Sequence, residues 1–318
     1  MKKLLTILCL VLLVSCSPKP PPDGPYTKYY PSGQIEIKGN FKDGIPHGLI
    51  EKYYENGQLR LKGTIKDEKL NGFHEFFSEN GQLEKKGNVK DEIPYGLWEF
   101  FYKNGQLQEK GNYKNGKEDG LWEFFSENGQ LEKRENFKDG IPHGLTEKYD
   151  ENGQLKTRGN IKDGIPHGLT EKYYENGQLK TRGNIKNGKP DGLHEIFYEN
   201  GQLKETGNYK NGEQDGYWEY FFENGQLDQK GTWKDGEQEG FFEMFHGNGF
   251  LMMRGNYKNG KWDGLLEGFG VYGQPLRKGN YKNGKLDGLN EWFNENGQFD
   301  RQECYKNDEQ VDMSYCTN

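Results

Sequence analysis

The sequence contains no alanine, few aliphatic residues and no long apolar stretch beyond its N-terminus. Of its 318 residues, 31% are hydrophobic and 29% are charged, which is too little apolar material for two ordinary compact domains. Disordered chains share this composition but are poor in aromatic residues, whereas this chain has 20 Tyr, 19 Phe and 6 Trp. The composition therefore predicts an ordered chain without a conventional globular core.

Neither sign of charge predominates strongly in the sequence. The formal net charge is −7, acidic and basic residues alternate along the chain, and no basic run follows the first three residues. Nucleic-acid binding depends on a basic patch or stripe that neutralises phosphates. The charge pattern therefore excludes nucleic acid as an expected partner.

The N-terminus carries an export signal. Lys2 and Lys3 precede the apolar run Leu4–Val14, which is too short to cross a bilayer. The segment Leu13-Val14-Ser15-Cys16 resembles a bacterial lipobox, which implies a lipid such as palmitate on Cys16 and removal of residues 1–15. An ordinary signal peptide with a coincidental cysteine is the alternative. With the lipid, the protein would be anchored in the bacterial cell envelope, periplasmic or exposed at the surface.

Residues 16–25 are rich in proline and are expected to form a semi-rigid tether between that anchor and the rest of the chain. Two further cysteines, Cys304 and Cys316, lie near the C-terminus. In an exported protein they could form one disulfide that closes the last hairpin, and two free thiols are the alternative.

The rest of the chain, residues 26–318, is an array of about twelve repeats with an imperfect C-terminal cap. Units 139–162 and 163–186 differ only at Asp150 and Tyr174, which indicates recent duplication. The glycine of the Asn-Gly-Gln motif recurs every 24 residues without insertion, at Gly33, Gly57, Gly81, Gly105, Gly129, Gly153, Gly177, Gly201, Gly225, Gly249, Gly273 and Gly297. Such a period is typical of repeat architectures.

Each unit predicts two β-strands. Glu-Asn-Gly between them is a hairpin signal, because Asn and Gly tolerate positive φ. The return connection, for example residues 186–192, is longer in the sequence and dense in turn residues. We therefore predict an all-β protein, an elongated single-sheet antiparallel meander or solenoid of hairpin repeats about 10 Å per unit.

The register of the hairpins decides which residues share a face. Leu49, Glu51 and Tyr53 alternate and so lie on one face. A three-residue Glu-Asn-Gly loop would bring Leu59 to that face, whereas a two-residue loop would pair Glu51 with Lys62 and move Leu59 to the opposite face. We favour the three-residue loop, which gathers the repeated apolar columns together.

Leucine-led hairpins, an Asn-Gly turn, a Gly-x-aromatic step and a Lys-Asn-Gly-Lys-x-Asp-Gly return resemble MORN repeats, and most closely the bacterial variant labelled the YwqK family of toxin–antitoxin antitoxins. The resemblance implies hairpins stacked into an elongated β-sheet and covers nearly the whole mature chain. Two units depart from it, with Glu135 and Glu303 in place of the usual glycine.

No constellation of residues indicates catalysis or a cofactor. The segment 268–273 fits G-x-G-x-x-G but has no predicted helix after it. His47, His143 and His167 occupy one turn position of their units and are too far apart for a shared metal. We therefore expect no enzyme activity, no cofactor and no metal site.

A glutamate occurs at one position in eleven units, from Glu51 to Glu291. One interpretation is a carboxylate ladder that binds a cation or a basic ligand. The other is structural, with each glutamate paired to a column of Lys and Arg, and we favour it because equivalent glutamates about 10 Å apart cannot share one calcium ion.

The positions that vary between units are the candidate partner-binding face. They carry large side chains in two zones and Thr and Lys between them, and exposed aromatic patches are typical of partner sites. Mutual support of the aromatics along a thin sheet is the alternative. The candidates are Trp98, Phe100, Trp122, Phe124, Trp218, Tyr220, Phe242 and Met244.

These observations favour a non-enzymatic, membrane-anchored repeat scaffold that binds a protein partner or a surface. The alternative, which the family resemblance implies, is an antitoxin or immunity protein that neutralises a partner toxin.

Overall fold

A computed structural model describes residues 21–317 of the chain. These residues form 26 strands of one open antiparallel sheet and a single helical turn. The predicted all-β meander of hairpin repeats is confirmed. The predicted signal peptide and the lipid acceptor Cys16 lie outside the described residues. Within residues 21–317, no helix has the length and apolarity needed to span a membrane.

The strands follow the 24-residue period of the sequence, two per unit. The first ten are β1 Gly24–Tyr29, β2 Ile35–Lys42, β3 Ile45–Tyr53, β4 Leu59–Lys66, β5 Lys69–Phe77, β6 Leu83–Lys90, β7 Ile93–Phe101, β8 Leu107–Lys114, β9 Lys117–Phe125 and β10 Leu131–Lys138. The next ten are β11 Ile141–Tyr149, β12 Leu155–Lys162, β13 Ile165–Tyr173, β14 Leu179–Lys186, β15 Lys189–Phe197, β16 Leu203–Lys210, β17 Glu213–Phe221, β18 Leu227–Lys234, β19 Glu237–Phe245 and β20 Leu251–Lys258. The last are β21 Lys261–Trp262, β22 Gly264–Phe269, β23 Pro275–Lys282, β24 Lys285–Phe293, β25 Phe299–Lys306 and β26 Glu309–Val311, followed by α1 Ser314–Thr317.

The described residues divide into two compact units. The first unit comprises residues 21–131 and 137–140, and the second comprises residues 132–136 and 141–317. Each is described by itself below.

The loop within each hairpin has three residues, as in Glu55-Asn56-Gly57. The N–H of Tyr54 donates to the carbonyl of Gln58 at 2.8 Å, and the N–H of Gly57 donates to the carbonyl of Tyr54 at 2.9 Å. Gly57 has φ 86°, which closes the loop as a turn followed by a glycine bulge. This is the loop that the sequence favours.

A second bulge immediately after the loop overturns the faces that were expected from it. Tyr53 lies opposite Leu59, but Lys52 lies opposite Leu61, so that Arg60 is an extra residue in β4. The one-residue slip places Glu51 opposite Lys62, the pairing expected of the two-residue loop. The repeated apolar columns therefore do not gather on one face.

The return connection is a tight turn and not the longer loop suggested by its composition. Lys186 pairs with Lys189, which leaves a two-residue loop of Asn187 and Gly188. Both have positive φ, 51° and 79°, as a type I′ turn requires. The remaining turn-like residues, including Gly192, belong to β15, where the register shifts.

One face of the sheet holds the interior of each unit, and we call it the aromatic face. In the first unit, its buried side chains include Ile50, His74, Trp98 and Trp122. In the second unit, Trp218 and Phe242 are the equivalent buried residues.

Rings on the aromatic face lie over glycines of the neighbouring strand. Gly87 is directly opposite Trp98, and a Cβ at Gly87 would lie 2.3 Å from Cδ2 of the indole. The corresponding distances are 2.2 Å from Gly111 to Trp122 and 2.1 Å from Gly207 to Trp218. These glycines are needed because no side chain fits beneath the rings.

At the C-terminal end of the second unit, Cys304 and Cys316 are joined by a disulfide, with Cα atoms 6.0 Å apart. Cys304 is buried in β25 and Cys316 lies in α1. The bond ties the final helical turn to the last long strand, β25.

Candidate protein-binding face

The side chains expected to form an exposed aromatic patch are largely covered. Trp98, Trp122, Trp218 and Phe242 are 3%, 1%, 0% and 5% exposed, so they are core residues and cannot be the surface of a partner site. Their companions are only half-buried, and these are Phe100, Phe124, Tyr220 and Met244. The physical reason is that a glycine lies opposite each of the three indoles, as Gly87 does opposite Trp98, so that the ring can lie flat against the backbone.

The tryptophans are also fixed by hydrogen bonds. The indole N–H of Trp98 donates to the carbonyl of Asn88 at 2.9 Å, and that of Trp122 donates to the carbonyl of Asn112 at 3.2 Å. Asn88 and Asn112, which carry these carbonyls, each follow a glycine, and the strand register shifts between the two residues. The rings therefore satisfy backbone groups at bulges, which is a structural role.

The opposite face carries the repeated glutamates, and we call it the ion-pair face. The carboxylates bind lysine and arginine on adjacent strands, as structural pairing predicts. In the first unit, the ion pairs are Glu51–Lys62 at 3.7 Å, Glu99–Lys86 at 2.8 Å and Glu123–Lys110 at 2.9 Å. In the second unit they include Glu147–Arg158 at 2.9 Å, Glu195–Arg182 at 2.7 Å and Glu243–Lys230 at 2.9 Å.

Tyrosines next to the glutamates extend this network. The hydroxyl of Tyr53 donates to Glu51 at 2.8 Å, and burial together with this carboxylate raises the pKa of Tyr53 to about 12. Burial alone would raise the pKa of Glu147, but hydrogen bonds from Tyr149 and Arg158 and nearby arginine charges outweigh it and lower that pKa. Glu147 is therefore held as a carboxylate.

Lysines of these ion pairs also make cation–π contacts with aromatic rings on the same face. The ammonium of Lys86 lies 5.4 Å from the ring centre of Phe101, and that of Lys110 lies 5.7 Å from the ring centre of Phe125. Each lysine thus contacts a carboxylate and a ring at once. The ion pairs of these glutamates favour the structural interpretation of the glutamate column over a cation-binding ladder.

The ion-pair face also carries a row of exposed apolar residues, which the sequence analysis expected to gather with the other repeated apolar columns, and we call it the leucine row. Each member follows the positive-φ glycine of its unit and is between 40% and 54% exposed. In the first unit the row is Leu49, Phe73, Leu97 and Leu121, and in the second it is Leu145, Leu169, Leu193, Tyr217, Phe241 and Leu265. Neighbouring members are two strands apart, about 10 Å.

Sequence reasoning missed the leucine row because large apolar residues in a fixed column are more often buried than exposed. One signal in the sequence that predicts burial of these tryptophans is the glycine that lies opposite each of them. A glycine stands eleven residues before Trp98, Trp122 and Trp218, which indicates rings that lie over glycine.

The histidines do not converge on a site. His143 lies in strand β11 and not in the turn expected from the sequence, with its Nδ1 3.4 Å from a carboxylate oxygen of Asp163. His74 and His194 occupy tryptophan positions of the aromatic face. Burial lowers the pKa of His74 and of His194. Within residues 21–317, no group of three or more His, Cys, Asp or Glu side chains is arranged to hold a metal ion.

Hairpins of this kind, repeated every 24 residues, match the family model described as "MORN repeat variant" in ten segments. These are residues 22–43, 46–67, 70–91, 94–115, 118–139, 142–163, 166–187, 190–211, 214–235 and 286–307, together more than two thirds of the chain. The chain belongs to the MORN repeat variant family. MORN repeats are commonly modules that bind proteins or membranes, and the family is in general a non-catalytic scaffold.

No curated protein matches the chain. A crystal structure of TcdB2-TccC3 is similar at 11% sequence identity with a TM-score of 0.19, over 89% of this chain and 19% of that chain. This chain therefore spans less than a fifth of the length of that one, and the likeness carries no argument about fold or function.

Proposed function

We propose that this MORN repeat protein is a non-enzymatic scaffold, anchored to a membrane of the bacterial envelope through lipid on Cys16, that binds a protein partner through the leucine row. The observation that carries the proposal is the exposure of one large apolar side chain in each of ten repeats, at equal spacing, on a face where most of the repeated glutamates are ion-paired. Contiguous exposed apolar residues with a polar surround are typical of protein-binding surfaces.

The lipobox-like segment supports the anchor, and the proline-rich residues 16–25 would hold the repeats away from the bilayer. Periplasmic and surface-exposed positions both fit this arrangement. Incorporation of labelled palmitate into the wild-type protein, and its loss in Cys16→Ser, is the expected result. Membrane association that persists in Cys16→Ser would contradict the anchor.

Crosslinking in native cells, followed by affinity capture and mass spectrometry, tests the leucine row. Leu145→Ser/Leu169→Ser removes two members that are 40% and 44% exposed. Ile141→Ser/Ile165→Ser is a matched control, because these residues lie in the same repeats, are 50% and 51% exposed, and stand outside the row. A stoichiometric protein lost only with the leucine variant supports the proposal, and one retained by both variants contradicts it.

The YwqK-like repeat pattern favours a second candidate, an antitoxin or immunity protein whose partner is a toxin. Expression of the captured partner alone distinguishes the two. Toxicity that the wild-type protein relieves and Leu145→Ser/Leu169→Ser does not would favour immunity, and a harmless partner would favour the scaffold.

A further inference from the structure

The aromatic face changes character in the twin repeats of the second unit. Where other units place rings, these repeats place Thr146 and Lys148, and then Thr170 and Lys172. The threonines leave the backbone less covered, since a Cβ at Gly159 would meet only the Thr170 side chain, with the hydroxyl oxygen nearest at 3.1 Å. This segment is therefore a shallow polar surface on a face that most other units fill with rings or aliphatic side chains.

Four side chains form a straight line across the strands here, and we call them the lysine–threonine strip. Lys148 is directly opposite Thr157, Thr157 is opposite Lys172, and Lys172 is opposite Thr181. Residues directly opposite one another share a face, so ammonium and hydroxyl groups alternate with each strand. The two lysines are two strands apart, about 9.6 Å.

The charges of the strip are not compensated within the protein. Lys148 and Lys172 are exposed, and among residues 21–317 neither lies within ion-pair distance of a carboxylate. On the opposite face of the same repeats, Arg158 and Arg182 are both ion-paired. The hydroxyl oxygen of Thr146, next to the strip, is buried without a hydrogen-bond partner among the described residues.

Two unpaired cations in a protein of net charge −7 indicate an anionic ligand, and their spacing limits its form. A polyproline II helix rises about 3.1 Å per residue with three residues per turn, so every third side chain points the same way at intervals of about 9.3 Å. That interval matches the separation of Lys148 and Lys172. The hydroxyls of Thr157, between the two lysines, and of Thr181, beyond Lys172, can each donate to a backbone carbonyl of the peptide, which in this conformation is free.

We propose that the lysine–threonine strip binds an acidic, proline-rich peptide segment in the polyproline II conformation, with a carboxylate at every third residue. The carboxylates contact Lys148 and Lys172, and the peptide lies perpendicular to the strands. The strip is on the face opposite the leucine row, so the two sites are independent. Duplication of residues 139–162 doubled the strip, which explains why two nearly identical units are adjacent.

The test is fluorescence polarisation of the full-length protein in detergent with a labelled peptide of four Glu-Pro-Pro triplets. We expect saturable binding that weakens as salt is added, because the contacts are exposed ion pairs. Lys148→Glu/Lys172→Glu should weaken binding at least about tenfold. Lys162→Glu/Lys186→Glu, which makes the same charge change in exposed lysines of the same repeats, should change it less than about twofold.

Three further arms make the proposal falsifiable. Equal losses in both double variants would reduce the effect to net charge and overturn it. A peptide of the same composition with its four glutamates consecutive should bind more weakly, and equal binding would overturn the spacing argument. Tighter binding of an acidic polysaccharide such as polygalacturonate would overturn the peptide assignment. Lys148→Gln/Lys172→Gln, expected to weaken binding in the same direction, checks that the loss does not come from misfolding.

Discussion

Glycine and tryptophan depend on each other across the strands of the aromatic face. In the first unit, Gly111 is opposite Trp122, and the indole occupies the space that any side chain at Gly111 would need. Where Glu135 replaces the usual glycine, the residue eleven positions later is Thr146 and not an aromatic residue, which fits this dependence. A glycine alone does not require a ring, since Thr170 lies opposite Gly159.

We expect Gly111→Ala to lower the free energy of unfolding by about 1–3 kcal/mol, because the new Cβ would lie 2.2 Å from the indole. The midpoint of urea unfolding measures this. Gly247→Ala is the matched control, since nothing lies within 4 Å of a Cβ there and its φ is not positive, and it should be nearly neutral. In a Trp122→Thr background the cost of Gly111→Ala should shrink, and an unchanged cost would contradict the packing argument.

Buried carboxylates of the ion-pair face should make the free energy of unfolding of the second unit depend on pH. The pKa of Glu147 and that of Glu267 are lowered in the folded protein, because arginine and other partners outweigh the effect of burial. A lowered folded pKa contributes stability that is present above the ordinary value of 4.5 and is lost as pH falls through the folded value.

Glu147→Gln should therefore be less stable than the wild type at pH 7, by about 0.2–1 kcal/mol, and the difference should shrink as the pH falls below 4.5 and disappear below the folded pKa of Glu147. Urea unfolding at a series of pH values measures it. Glu151→Gln, in an exposed hairpin loop without an ion pair among residues 21–317, should show no such dependence. A difference between Glu147→Gln and the wild type that grows on acidification would contradict the assignment.

At the scale of the strand and its turns, the sequence predicts the hairpins but not their faces. The Asn-Gly pair and the 24-residue period identify both strands and the three-residue loop. The extra residue after the loop, Arg60 in β4, leaves no mark in the sequence, because a polar residue there fits both a regular strand and a bulge. Because this bulge was not recognised, Leu49 was expected to share a face with Leu59, and Trp98 was expected to be exposed on the other face.

The return turns provide a test at this scale. Most end in glycine with positive φ, but Glu68 and Glu92 hold φ values of 65° and 69° at that position, where a side chain is strained. Glu92→Gly should raise the free energy of unfolding by about 1 kcal/mol, since the left-handed conformation costs glycine little.

Thermal unfolding followed by circular dichroism measures the gain. Glu79→Gly is the control, because Glu79 lies in a hairpin loop without positive φ, and we expect it to be neutral or destabilising. If Glu92→Gly destabilised as much as Glu79→Gly, the strain at the return turn would be absent.

At the scale of the whole molecule, function follows from repetition and not from one distinguished residue. Most units repeat an ion pair, a glycine and an exposed apolar residue, whereas the side chains of the aromatic face differ widely along the chain. Because a repeat contacts only its neighbours, stability is nearly a sum of local terms. A unit can therefore be gained or lost without rebuilding the others, provided that the new neighbours fit.

Removal of residues 163–186 tests this directly. The deletion joins Lys162 to Asn187, so β12 acquires the return turn of β14, and the two strands have the same sequence, LKTRGNIK. β15 then pairs with β12 through the contacts it now makes with β14. We expect the shortened protein to keep its circular dichroism spectrum and its urea midpoint, and to lose binding of the acidic peptide because Lys172 and Thr181 are gone.

Removal of residues 163–174 is the matched control. It deletes β13 alone and would connect β12 to β14, which run in the same direction and cannot pair as an antiparallel hairpin. This variant should unfold at lower urea concentration and show faster amide exchange around the junction. If both deletions lowered the urea midpoint equally, the stability of a unit would depend on more than its immediate neighbours. That result would contradict the proposal that stability is nearly a sum of local terms.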